Sequence, residues 1–171
     1  MRTIRLVSSR LASLACLALA CSAVLALPAA AARGPQVPAF TLKLIQARTG
    51  DAAYLPTRLP LGYRYERFQL PASGGLVVAF KHARSADRFS FRVAKLPGGT
   101  HCDGGGAFHR VLQMDGNKVY YGGEQGEWIA WRCVASPRTG TRYTVSVRSR
   151  GPLPDVALAR VAASGKRAAR S

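Results

Sequence analysis

The chain has 171 residues, with 25 Lys and Arg against 8 Asp and Glu, a formal net charge of +17. Its length suits one domain with a single core and is small for two. A field of this sign draws polyanions, although the same arginine and alanine richness is also what a composition bias alone would leave on solvated strand faces.

The N-terminus reads as a leader. MRTIRLVSSR carries three arginines and no acid, Leu11 to Leu27 runs without a charge, and PAAAA (28 to 32) supplies small residues for cleavage after Ala32. That is the pattern of a secretory signal peptide. Two alternatives use the same stretch: an uncleaved signal acting as a membrane anchor, since about 17 to 25 apolar residues span a bilayer, and lipoprotein processing at Cys21, where Ala18 stands in place of the usual large aliphatic residue. Cleavage takes 32 residues from 171 and leaves 139, with 22 Lys and Arg (25 less the leader's three) against 8 acids, a net +14. It also removes Cys16 and Cys21, so the mature chain keeps only Cys102 and Cys133. An extracytoplasmic location, secreted or periplasmic, follows, with no stable membrane span after cleavage.

Residues 33–53 read as a linker and N-terminal segment, in which Phe40 to Gln46 fits either a short strand or a helical turn. In YLPTRLPLGY, Tyr54 to Tyr63, two X-Pro pairs hold the backbone extended, and Gly62 permits the bend that follows. From Tyr63 the apolar period is two. Phe89, Phe91 and Val93 alternate with Arg88, Ser90 and Arg92, and Tyr143, Val145 and Val147 alternate with Arg142, Thr144, Ser146 and Arg148. Each such strand has one apolar and one basic face. GLVVAFKH (75–82), AFHRVLQM (107–114), KVYYG (118–122) and EWIAWRCV (127–134) are similar, and the turn signals between them describe an antiparallel meander. Asp115-Gly116 marks the clearest hairpin, as a pair able to adopt the positive φ of a tight turn. GPLPDVALARVAASG (151–165) is the strong helical candidate, with prolines before the start, Asp155 at the positive end of the dipole, and Ala157, Leu158, Val161 and Ala162 on one face. A helix of about ten residues is marginal alone and must dock on the sheet. The expected fold is therefore α+β, about six to seven antiparallel strands with a C-terminal helix on one face, spanning 54–165, with 166–171 a disordered basic tail.

THCDGGGAFHRV, Thr100 to Val111, concentrates the chemistry-bearing residues. As a metal site it has no CxxC and no second cluster to complete a tetrahedral set. Its glycines lack the Lys-Ser/Thr of a phosphate loop and lead into a strand. As a nucleophile, Cys102 competes with Cys133, which would consume the thiol outside the cytoplasm. The stretch is read as a stapled loop, with a Cys102–Cys133 disulfide closing about 32 residues. Cys133 follows Ile129 and Trp131 on one strand face and is expected to point toward the core or its margin. His82, His101 and His109 show no carboxylate network, and no catalytic residue, metal ligand or cofactor is assigned.

LPTRLPLGYRY (55–65), then GLVVAFKH, RFSFRV, a Gly-rich turn, NKVYYGG, RYTVSV and the closing ALARVAAS (157–164), resembles a small bacterial envelope domain with an LPxGY start. Its relatives are an uncharacterised domain attached to anti-sigma-factor-like proteins and, more remotely, the RseB/MucB C-terminal domain. The resemblance implies a non-catalytic sensing or protein-binding module outside the cytoplasmic membrane; regulation of a sigma factor is not carried over. The expected function is an exported binding module whose basic face, carrying Arg88, Arg92, Arg142 and Arg148, contacts an acidic protein partner or an anionic envelope polymer. A secreted nucleic-acid-binding protein, for which no recognised motif is present, and a small secreted hydrolase, for which no nucleophile-base-orienter set assembles, are the alternatives.

Overall fold

The computed structural model describes residues 37–168 apart from 104–107, 125 and 152. The leader, its cleavage point at Ala32 and the alternative at Cys21 lie outside the described residues.

Helix α1 (Ala39–Thr49) opens the described chain, so the stretch from Phe40 to Gln46 is helical. Its sequence left the choice open because no apolar stripe runs along it: Ile45 alone is buried, and Phe40 is exposed. Gly50, at φ +52, ends the helix in a conformation that L side chains avoid. A short 3-10 turn (Gly50–Ala52) leads into β1 (Tyr54–Pro56).

Seven antiparallel strands make the main sheet: β2 (Tyr63–Gln69), β3 (Leu76–His82), β4 (Arg88–Lys95), β5 (Arg110–Met114), β6 (Asn117–Glu124), β7 (Glu127–Ala135) and β8 (Arg142–Ser149). Their order is β2-β3-β4-β8-β7-β6-β5. Two runs of adjacent hairpins thus meet where β4 pairs β8, and the segment from Leu96 to His109 carries the chain from mid-sheet to the far edge. Helix α2 (Asp155–Ala163) follows β8 and packs on β5 to β8. Together with the N-terminal segment from Ile45 to Leu59 it covers one face of the sheet, where Val78, Phe80, Phe91, Val93, Val119, Ala130, Val145 and Val147 join Leu158, Ala159, Val161 and Ala162 in a single core.

The residues after α2 depart from the expected tail. Gly165–Arg167 form β9, which pairs antiparallel with β1: Tyr54 opposite Arg167, Leu55 opposite Lys166, Pro56 opposite Gly165. The ordering has identifiable causes: the Ala168 amide donates to Ala53 O at 2.7 Å, and the Arg167 guanidinium donates to Asp51 Oδ1. Asp51 also accepts from the hydroxyls of Ser136 (2.9 Å) and Thr139 (3.2 Å) in the β7–β8 turn. The Ser136 hydroxyl, followed by Arg167, holds the Asp51 carboxyl below its ordinary range against the opposing effect of burial.

The LPxGY element is a tight turn. Tyr63 N donates to Pro60 O at 3.2 Å, Gly62 sits at φ +83, and a Cβ there would fall 2.3 Å from His82 Nε2. Leu59 is buried while Leu61, at the variable position, is 87% exposed.

Candidate functional site

Because α2 covers only one face, the opposite face of the sheet decides what the domain can meet. Register fixes who stands there: Ser90 lies opposite Arg148 and Arg92 opposite Ser146, while their neighbours Phe89, Phe91, Val145 and Val147 turn into the core. Arg88, Arg92 and Arg148 therefore share one region of adjacent strands. Arg142 is on the same side but at the other end of β8, about 20 Å from Arg148 at roughly 3.3 Å per residue, opposite Ala135.

Over β7 and part of β6 this outer face is covered by the chain itself. Cys102 and Cys133 are joined in a disulfide, Cα to Cα 5.8 Å. The Trp131 indole N–H donates to Cys102 O at 2.8 Å, Leu96 N donates to Arg142 O at 2.9 Å, and Phe108 packs on Tyr120, ring centroids 5.2 Å apart. The described parts of the crossover, 96–103 and 108–109, thus lie over β7 and β6. This corrects the expected orientation of β7: Ile129, Trp131 and Cys133 face away from α2, where the crossover shields them, and Ala130, Arg132 and Val134 face the helix. Arg132 is the side chain that sequence reasoning missed. Its Nε donates to Ala162 O at 2.9 Å, one terminal nitrogen to Asn117 Oδ1 at 2.6 Å, and the other to Gly165 O. It caps the C-terminal end of α2 from beneath, and burial lowers its pKa.

Beyond the crossover lies an open groove of about 670 Å³ at the β2-β3-β4-β8 end, lined by Arg67, Arg88, Arg148 and Arg150 together with Glu66, Asp87 and Glu127. Its charges are partly paired. Arg88 Nε donates to both Glu66 oxygens at 3.3 and 3.2 Å. Glu127 accepts from Arg150 Nε at 2.6 Å and lies 3.7 Å from Arg148. Arg92 and Arg142 have no ion-pair partner among the described residues. A smaller, mostly apolar depression of about 300 Å³, with Leu96, Ile129 and Trp131 among its walls, lies under the crossover and meets the groove at Arg148.

No family model and no curated protein matches the chain. Two of the solved structures similar to it are complexes of one protein. One is MucB in complex with MucA(peri), at 17% identity and TM-score 0.45; the other is the MucA/MucB complex of Pseudomonas aeruginosa, at 17% identity and TM-score 0.46. Each alignment covers 69% of this chain and only 38% and 36% of those chains respectively.

One polar cluster at the groove's rim was also missed. In the β3–β4 hairpin, Ser85 Oγ donates to Asp87 Oδ2 at 2.7 Å and lies 3.1 Å from His82 Nδ1. The residue types are those of a hydrolytic triad, but the connectivity is not: the hydroxyl proton goes to the carboxylate, and His82 Nε2 faces Gly62. Arg84 N and Asp87 N close on the same side chains at 3.3 Å each, which makes the cluster a turn-capping network. No group of three metal-ligating side chains converges among the described residues. No described helix is long and apolar enough to cross a membrane.

Proposed function

We propose that the protein is an exported, non-catalytic binding module of a bacterial cell envelope, and that the uncovered part of its outer sheet face contacts an acidic protein segment or an anionic envelope polymer. The observation that carries this reading is the position of Arg88, Arg92 and Arg148 on adjacent strands beside an open groove, on the part of the outer sheet face that the crossover leaves uncovered. Exposed ion pairs of the kind holding Arg88 and Arg148 contribute about 0 to 1 kcal/mol each, so a partner's carboxylates or phosphates compete with Glu66 and Glu127 on nearly equal terms. Arg92 has no internal competitor among the described residues and is the first contact.

The test is retention on an immobilised anionic wall polymer between about 0.1 and 1 M salt, where the Debye length shrinks from about 10 to 3 Å. Arg92→Ser is expected to elute earlier than the parent, and Arg88→Ser/Arg92→Ser/Arg142→Ser/Arg148→Ser earlier still. Equal retention of parent and quadruple variant refutes the face. Equally strong retention of duplex DNA at near-physiological salt transfers the reading to nucleic acid.

A further inference from the structure

The two edges of the main sheet are built differently. At one, β2 carries a bulge between Tyr65 and Arg67 and displays Arg64, Glu66 and Arg67, devices that disfavour pairing with another strand. At the other, β5 reads RVLQM with an unbroken register against β6 from Arg110 to Met114 and no proline. Among the described residues no strand pairs with its outer side.

The hairpin fixes which backbone groups that edge presents. Asp115 and Gly116, at φ 50 and 74, form a two-residue loop of the mirror-image type. Such a loop closes on a hydrogen-bonded pair, here Met114 with Asn117. Alternation then turns Leu112 and Arg110 toward β6 as well, and leaves the N–H and C=O groups of Val111 and Gln113 directed to the open side.

The side chains around the edge are also half-finished. Leu112 and Met114 pack only partly against the core, and Val111 is 37% exposed on the outer face. Arg110 donates to Asp155 Oδ2 at 2.5 Å, which sets the first turn of α2 beside β5 and leaves Val156 there 40% exposed. On the outer face Lys118 stands opposite Gln113, its ammonium 5.2 Å from the centre of the Tyr120 ring.

We infer that β5 is a strand-addition site for an extended segment of an acidic partner, whose apolar residues continue the core face beside Leu112, Met114 and Val156 and whose carboxylates, at alternate positions, lie on the side of Lys118. Main-chain hydrogen bonds to Val111 and Gln113 supply the register, and the alternating side chains supply selectivity. A second copy of this chain is the less favoured occupant, because it sets 25 Lys and Arg with only 8 acids against an identical field. The inference shares the binding-module reading but uses a different surface, so the two fail separately.

The probe is a capped Glu-Val-Glu-Val-Glu-Val peptide, tested against the same peptide N-methylated at alternate residues on each edge in turn. Adding the unmodified peptide to the full mature chain is expected to slow amide exchange of Val111 and Gln113 at least tenfold. Methylation of the edge that faces β5 abolishes the effect, and methylation of the other edge preserves it. Val111→Pro removes an outward donor without touching the β5–β6 ladder, and should bind the peptide at least tenfold more weakly while keeping the parent's near-UV circular dichroism. Arg64→Ser, on the opposite edge of the sheet, should bind it as the parent does. Unchanged exchange at Val111 and Gln113, or indifference to methylation on either edge, overturns the inference. Slow exchange at these amides that depends on protein concentration without peptide also overturns it, in favour of a second copy.

Discussion

Replacing Arg132 by Met keeps most of the aliphatic stem and removes the cation that ties α2 to the sheet. Three acceptors lose their donor: Ala162 O, Gly165 O and Asn117 Oδ1. An acceptor stranded in the interior costs about 1 to 3 kcal/mol. Arg132 is only half-buried, so water replaces part of what is lost and the lower end applies, about 1 kcal/mol for each of the two backbone carbonyls. A cation at a helix C-terminus contributes about 0.3 to 1 kcal/mol more. Relief of the guanidinium's own desolvation works the other way, in the direction that lowers its pKa. The expected net loss is about 2 to 3 kcal/mol, a large share of the roughly 5 to 15 kcal/mol that stabilises a domain. Arg132→Lys, a point charge that reaches fewer of the three acceptors, should fall between parent and Met variant. Urea unfolding with an unchanged slope measures this. A Met variant within about 0.5 kcal/mol of the parent, the usual range for surface substitutions, refutes the clamp.

Two further expectations follow from the same geometry. The Cys102–Cys133 bridge spans 31 positions, so Cys102→Ala and Cys133→Ala should each lower stability by about 3 to 4 kcal/mol in the chain-entropy model, and the double variant by no more than either; additive losses by urea unfolding would mean that each side chain acts independently of the crosslink. Asp51, its carboxyl held low first by the Ser136 hydroxyl and then by Arg167, has a folded pKa below the unfolded value of about 3.9, so its contribution is fully present above about pH 4 and is lost as pH falls through the folded value; urea midpoints between about pH 2 and 6 should decline more steeply for the parent than for Asp51→Asn, and parallel curves would contradict this.

The strands were legible wherever one face of the sheet meets a core and the other meets solvent, as in β4 and β8, because burial on one side imposes period two. The reading of β7 was out of phase for the same reason. Ile129, Trp131 and Cys133 are apolar because they too are covered, by the crossover, while Arg132 occupies a helix-facing position as a polar clamp. Pattern alone cannot distinguish a strand buried under a helix from one buried under a loop. A signal was nevertheless present, since an arginine between Trp131 and Cys133 on a covered strand must find acceptors. Helix α1 was ambiguous because it buries one residue, Ile45. Residues 166 and 167 read as tail because their charge says nothing about a partner, and that partner is Asp51 with the short strand β1, more than a hundred positions earlier.

The sheet order explains why the disulfide and the arginines stand on the same face without sharing a role. With β4 and β8 adjacent at the middle, the chain leaving Lys95 has to reach β5 at the far edge by crossing β8, β7 and β6, and α2 already occupies one face. The crossover must therefore take the other, and Cys102 to Cys133, with Trp131 bonded to the same loop, pins it there. On the near side of it, β2, β3 and β4 and the distal end of β8 stay open, which is where Arg88, Arg92 and Arg148 lie beside the groove. Arg142, at the end of β8 where the crossover begins with its Leu96 N to Arg142 O hydrogen bond, belongs to the covered half. A partner that engages the open face should consequently depend on Arg92 more than on Arg142, so the two single serine variants, identical in charge removed, separate a located site from a general attraction to a basic protein. Equal loss of retention from Arg92→Ser and Arg142→Ser would assign the binding to net charge alone.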